Sequence, residues 1–198
     1  MTRWLILALV ALIGSCAKED GLPGTVGGPG KGDAYPGYTA YFIPKDKHDP
    51  TPNPVQLISK SALRFQVLFD SSCRYASKKP ENQKDINKLY GFSDCASFHH
   101  ENSARVGWLW NGKTIELYAY CYADSVRSSK LLGTLSVGVP AELGISVKGN
   151  QYIFDYAGRQ TTMKRHCGGD TFSGYKLLPY FGGDETAPHD MWIYVREL

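Results

Sequence analysis

The chain contains no apolar run long enough to cross a bilayer. Its longest, from Trp4 to Ile13, falls well short of the roughly 20 residues that a spanning helix needs. Extended runs of Ala, Leu, Glu and Lys are also missing, so long helices are not expected. Charge of one sign is scarce: Lys and Arg number 22 against 19 acidic residues, +3 overall, and removal of a leader carrying Arg3 leaves about +2. That balance implies no nucleic-acid partner. No CxxC pair and no Cys/His spacing of the kind that holds zinc occurs among the five cysteines. What is abundant is tyrosine, 13 residues, with 4 tryptophans, a composition that favours strands.

Arg3 followed by a short apolar core and then Gly14 and Ser15 has the form of a targeting segment. A buried N-terminal helix is the poorer reading, because no amphipathic stripe continues the pattern. Ile13-Gly14-Ser15-Cys16 resembles the lipobox of bacterial lipoproteins, which implies that Cys16 is acylated and becomes the new N-terminus. Acyl chains contribute about 0.8 kcal/mol per buried methylene, so two or three of them anchor a protein without a membrane-spanning helix. Ala17, together with Lys18-Glu19-Asp20, implies by the same resemblance an outer-membrane, surface-exposed location. Gly21 to Asp33 reads as a spacer. Its triplets GLP, GTV, GGP and GKG are too few to hold a collagen helix. The expected organisation is a signal peptide at 1–15, a lipidated cysteine and tether at 16–34, and one domain at 35–198, long enough for a real core.

An envelope location permits disulfides among Cys73, Cys95, Cys121 and Cys167. Three connectivities are open. Cys121 lies in a strand pattern where an inert buried thiol serves as well as a bridge.

Leu63, Phe65, Val67 and Phe69 alternate through ALRFQVLFD, the period of a half-buried strand. A polar stretch at 70–102 is expected to form a long loop with one helical turn around Ile86 to Tyr90. ARVGWLWNGKTIELYAYCY follows, and its Asn111-Gly112 predicts a two-residue type I′ hairpin. In that register Trp110, Trp108, Val106 and Ala104 oppose Lys113, Ile115, Leu117 and Ala119 on the core face, continued by Cys121. The solvent face then sets Gly107 opposite Glu116, Arg105 opposite Tyr118 and Ser103 opposite Tyr120, more aromatic than solubility requires. A second hairpin turns at Ala157-Gly158 after the strand LGISVKG. YKLLPYF, interrupted by Pro179, reads as an edge or a bulge, and MWIYVREL closes the set with GYTAYFI near the start. Eight or nine short strands predict an all-β antiparallel sandwich.

NQYIFDYAGRQTTM and GYKLLPYFGGDETAPHDMWIYVREL resemble the later strands of the concanavalin A-like jelly roll shared by lectins, laminin-G-like modules and several polysaccharide-cleaving enzymes. The resemblance implies a glycan-binding concave face lined by Arg105, Glu116, Tyr118 and Tyr120, joined by His99 and His100 from SFHHENSAR. Glycosidases need paired carboxylates at fixed separation, and Glu116 in TIELYAYCY has no in-strand partner. Lyases of the fold need a cation to neutralise a uronate and a Tyr or His to move the C5 proton. Arg105, Tyr118, Tyr120 and the two histidines provide those types. The R-x-E-x-x-x-R and Q-x-H strands of alginate-lyase-like enzymes are absent, and Tyr180-Phe181-Gly182-Gly183 lacks their lysine, so non-catalytic glycan binding is favoured. A polysaccharide lyase and an envelope scaffold are the alternatives. Adjacent histidines without a third ligand point to solvation or local hydrogen bonds more than to metal. No cofactor is called for apart from calcium, for which Asp184, Glu185 and Asp190 offer hard oxygen donors; a solvated turn bonded to backbone is the competing reading.

Overall fold

The alternation in ALRFQVLFD does make a strand, with Leu63, Phe65 and Val67 turned into the core and Arg64 outside it. The computed structural model describes residues 34–198; Cys16, the leader and all but the last residue of the tether lie outside them. Twelve strands occur among the described residues: β1 (Thr39–Ile43), β2 (Leu57–Lys60), β3 (Ala62–Phe69), β4 (Asn87–Ser93), β5 (Ser103–Trp110), β6 (Ile115–Ala123), β7 (Val126–Leu135), β8 (Ala141–Lys148), β9 (Gln151–Tyr156), β10 (Arg159–Lys164), β11 (Phe172–Leu177) and β12 (Met191–Glu197). Two short 3-10 turns, Ser71–Cys73 and Pro80–Lys84, are the helical elements there.

The strands form two six-stranded sheets ordered β1-β12-β3-β8-β9-β10 and β2-β11-β4-β5-β6-β7. Every ladder is antiparallel. The protein is therefore an antiparallel β-sandwich of jelly-roll type. The inner faces meet through large rings: Phe69 of β3 lies 5.0 Å from Trp108 of β5, and Phe65 lies 5.2 Å from Tyr90 of β4. Each such side chain contributes roughly 1.5–3 kcal/mol by leaving water. A smaller cluster, Ala40, Leu68, Trp192 and Tyr194, is buried separately, with Tyr35, Tyr38 and Phe42 packed against it.

Several expectations need correction. The segment around Ile86 to Tyr90 is not a helical turn but the start of β4, an interior strand paired with β5 and β11. A register shift between Lys88 and Tyr90 breaks the period-2 alternation that would have marked it. The Asn111-Gly112 hairpin is not a two-residue turn. Trp110 pairs with Ile115, leaving a four-residue loop, because the Asn111 carboxamide oxygen accepts from the backbone N–H groups of both Lys113 and Thr114. An Asx-type bond of this kind replaces the I′ geometry. Turns with positive φ at both central residues occur instead at Asp124-Ser125 and, as expected, at Ala157-Gly158.

The two-residue slip moves every cross-strand partner yet keeps each side chain on its face, since the strand period is two. Trp108 is fully buried and Trp110 half-buried. On the other face Arg105 lies opposite Tyr120, Gly107 opposite Tyr118 and Leu109 opposite Glu116.

Of the four cysteines described, Cys95 and Cys167 form a disulfide. Cys73 and Cys121 are buried free thiols, each pushed well above the ordinary thiol range by burial. Beside the bridge, Asp94 and Arg165 make an ion pair at 2.7 Å with both side chains almost wholly buried. Gln83 and Glu185 secure the 70–102 stretch. Gln83 Nε2 donates to Trp110 O, and Glu185 accepts from the N–H groups of Lys78 and Lys79.

Candidate functional site

β4, β5 and β6 run side by side in the second sheet, and their outward side chains build the site. Gly91 of β4 is required: a Cβ there would lie 2.2 Å from the Ala104 carbonyl oxygen and 2.5 Å from Arg105 Cα. Its absence allows β4 to press against β5 where Arg105 projects.

Arg105 and Tyr120 are not solvated as the hairpin alone implies; they are 6% and 4% exposed. Lys88 covers them from β4, its ammonium 5.6 Å from the Tyr120 ring centre, and the Arg105 guanidinium sits 6.0 Å from the same ring. Tyr120 is thus flanked by two cations, a favourable cation–π arrangement when water is excluded. Neither cation belongs to an ion pair among the described residues. Lys88 Nζ donates to the Gly182 carbonyl at 2.6 Å, whereas Arg105 Nε has no hydrogen-bond partner among the described residues.

The charge of both groups is disfavoured here. Burial, reinforced by the neighbouring Arg105, brings Lys88 down to about 8. Burial brings Arg105 down to about 10, against an opposing pull from nearby tyrosines. A buried cation without an anion is expensive, so such a group in a cleft marks a place where a ligand can supply the missing charge.

Arg105 lines a hollow of about 260 Å³ together with His99, Tyr175, Tyr180 and the segment from Asp49 to Val55. Tyr180 is placed by a bridge between its backbone and that of Lys88, and its ring stacks on His48 at 5.1 Å. Tyr175 of β11 meets His99 twice: its hydroxyl accepts from the His99 N–H at 3.1 Å and lies 2.8 Å from His99 Nδ1. Burial, then the positive charge of Arg105, lowers His99 to about 4, so near neutrality the ring is uncharged. His100 follows, 4.1 Å from the His99 ring and 5.5 Å from that of Tyr122, which lies 6.0 Å from Tyr120. A continuous aromatic and imidazole row therefore crosses from β11 to β6.

Of the residues anticipated from the sequence, the structure brings Arg105, Tyr120, His99 and His100 together. Glu116 and Tyr118 sit nearer the Asn111 loop and bond to each other at 2.5 Å, with Asn111 Nδ2 also donating to Glu116. These bonds hold the Glu116 carboxyl below its usual range. Asp184, Glu185 and Asp190 do not converge: Asp190 accepts from the Lys45 N–H and Glu185 from the 78–82 turn. The one grouping of three metal-ligand types among the described residues is Asp94, Cys95 and Cys167, and its two sulfurs are bonded to each other.

Lys88, Tyr175 and Tyr180 were not anticipated. Lys88 is hidden by the β4 bulge. Tyr175 and Tyr180 stand in YKLLPYF, where Pro179 signalled an interruption but not which tyrosines would face the cleft.

No family model matches the chain, and no curated protein matches it. Solved structures do. Alginate lyase AlyC3 superposes with a TM-score of 0.53 at 12% identity, over 81% of this chain and 74% of that one. A Bacillus licheniformis β-glucanase gives 0.47 at 9% identity over 81% and 77%, and an alginate lyase from Alteromonas sp. 272 gives 0.46 at 7% over 82% and 86%. At such identities the likeness is one of fold.

Proposed function

We propose that the protein binds an acidic polysaccharide, with a uronate carboxylate held against Arg105 and Lys88 and sugar rings laid along Tyr175 and Tyr180. The observation that carries this reading is the buried Arg105, which lacks an ion-pair partner among the described residues and lines a hollow walled by aromatic rings. A carboxylate entering there gains charge-assisted hydrogen bonds from a guanidinium that the fold has already largely buried. Sugar rings present C–H faces that pack on tyrosine while the phenols bond their hydroxyls. The alginate lyase that shares the fold supports a polysaccharide as the class of ligand. Attachment to the outer membrane through Cys16 belongs to the same proposal and rests on the leader alone.

Calorimetric titration tests it. Oligouronates are expected to bind at least about tenfold more tightly than neutral glucan oligosaccharides of equal length. Lys88 is charged below about 8 and neutral above it, so affinity should hold through neutral pH and fall as pH rises past that value, with Lys88→Met flattening the profile. Equal affinity for neutral and acidic chains overturns the reading.

The His99–Tyr175 contact favours a second reading, β-elimination in the same groove. Arg105 would neutralise the carboxylate and acidify C5. Tyr175 oxygen would take the C5 proton as its own proton passes to His99 Nδ1, a C4=C5 double bond would form, the C4–O bond would break, and the departing oxygen would recover a proton from Tyr175. Uronate polymers incubated with the protein should then gain the ultraviolet absorbance of an unsaturated uronate. Tyr175→Phe should remove that gain by a factor of about 100 or more and leave binding within a few-fold; binding without any absorbance change leaves the non-catalytic reading.

A further inference from the structure

Large apolar side chains left in water are informative when they gather in one place. Leu57 of β2 is 86% exposed and Phe98, in the turn after β4, is 75% exposed. Together with Ala96 and Tyr175 they line an open hollow of about 700 Å³. This hollow has no cation on its walls; its polar groups include the Ser59 and Ser173 hydroxyls and the Glu101 carboxylate. Tyr175 is common to it and to the Arg105 hollow, on whose wall the exposed Val55 also stands. The two spaces thus adjoin across one tyrosine ring, one basic and one apolar.

A plain uronate or hexose would lose hydroxyl hydration against Leu57 and Phe98 without recovering it. An acetyl group would not: its methyl is apolar, and its carbonyl or amide needs only the one or two partners that the serines and Glu101 offer. We propose that the Leu57–Phe98 hollow is a subsite for an acetylated sugar unit directly linked to the uronate held at Arg105, so that the ligand is an acetylated acidic polysaccharide. This rests on the assignment of the Arg105 hollow to a uronate. Two sources present the same chemistry, an O-acetylated uronate chain and an alternating chain of hexuronate and N-acetylhexosamine.

Calorimetry separates them in two arms. One compares O-acetylated oligouronates with the same fragments after alkaline removal of the acetyl groups. The other compares hexuronate–N-acetylhexosamine oligomers with plain oligouronates of equal length. In at least one arm the acetylated form is expected to bind about tenfold more tightly, the scale of one buried methyl and its neighbours. Phe98→Ser, at a position exposed enough to leave folding intact, should erase that advantage while changing the affinity for plain oligouronates by less than about twofold. Equal binding of acetylated and plain forms in both arms, or an equal loss for both in Phe98→Ser, overturns the subsite and leaves the Arg105 assignment standing. Absence of binding by every acidic oligomer overturns both.

Discussion

Arg105→Met is expected to weaken oligouronate binding by roughly 10- to 100-fold and, at the same time, to raise the melting temperature. The first effect is the loss of charge-assisted hydrogen bonds worth about 1.5–3 kcal/mol. The second follows from what the free protein endures without ligand. Arg105 is 6% exposed, its Nε is unpartnered among the described residues, and its pKa is drawn down to about 10, chiefly by burial. A depression of that size corresponds to about 3 kcal/mol of unfavourable desolvation. Methionine keeps most of the stem that packs beside Tyr120 and removes the charge. A net gain of about 1–3 kcal/mol should follow, as when buried ionic groups elsewhere are exchanged for apolar ones. For a domain of this size that is several degrees, at roughly 2–4 °C per kcal/mol. Thermal melts and calorimetry on one preparation read both. Unchanged affinity would remove Arg105 from the binding site, and a lower melting temperature would make it a structural residue instead.

The opposite sign is expected at Asp94. Its carboxylate accepts from Arg165 Nε at 2.7 Å and Nη2 at 3.3 Å, from the Tyr152 hydroxyl at 3.1 Å, and from the N–H groups of Cys95 and Ser173. Arg165 is fixed further by the carbonyls of Gly149, Gly169 and Thr171. Asp94→Ala leaves a guanidinium buried with no counter-charge, a change that costs about 3–5 kcal/mol and should lower the melting temperature by roughly 6–20 °C. Adding Arg165→Met should restore part of the loss, because the stranded charge goes too; coupling between neighbours of this kind is what a double-mutant cycle measures. Chemical denaturation midpoints for the two single variants and the double variant check it. A loss under about 1 kcal/mol for Asp94→Ala would show that the pair is dispensable.

These two arginines differ in how far they could be read from the chain. The face on which Arg105 lies was legible, since strand alternation survives even a slipped register, and the four-residue loop at Asn111 moved partners by an even number. Its burial was not legible, because Lys88 covers it from a strand whose bulge disguises the period, and Tyr180 arrives through a single bridge beyond a proline. The Asp94–Arg165 pair had no local signal at all: 71 positions separate the two residues, and only the folded sheets bring them together. The same holds for the Cys95–Cys167 bridge, which belongs to one of the three connectivities left open. The sandwich itself was readable for a simpler reason, that tyrosine-rich alternation without helix formers admits few other solutions, although β2, β4 and β7 escaped notice as a short edge strand, a bulged strand and a largely exposed one.

β12 lies between β1 and β3, with Thr39 opposite Val195 and Val67 opposite that same residue on the other side. Apart from a single bridge between Phe42 and Thr51, the ladder that β1 makes among the described residues is therefore with residues about 150 positions later in the chain. β3, β8, β9 and β10 can pair with one another first, whereas β1 joins the sheet only once β12 is in place. A contact of such long sequence separation pays its loop-closure entropy last, so the β1 edge is expected to be the slow step in completing the sheet.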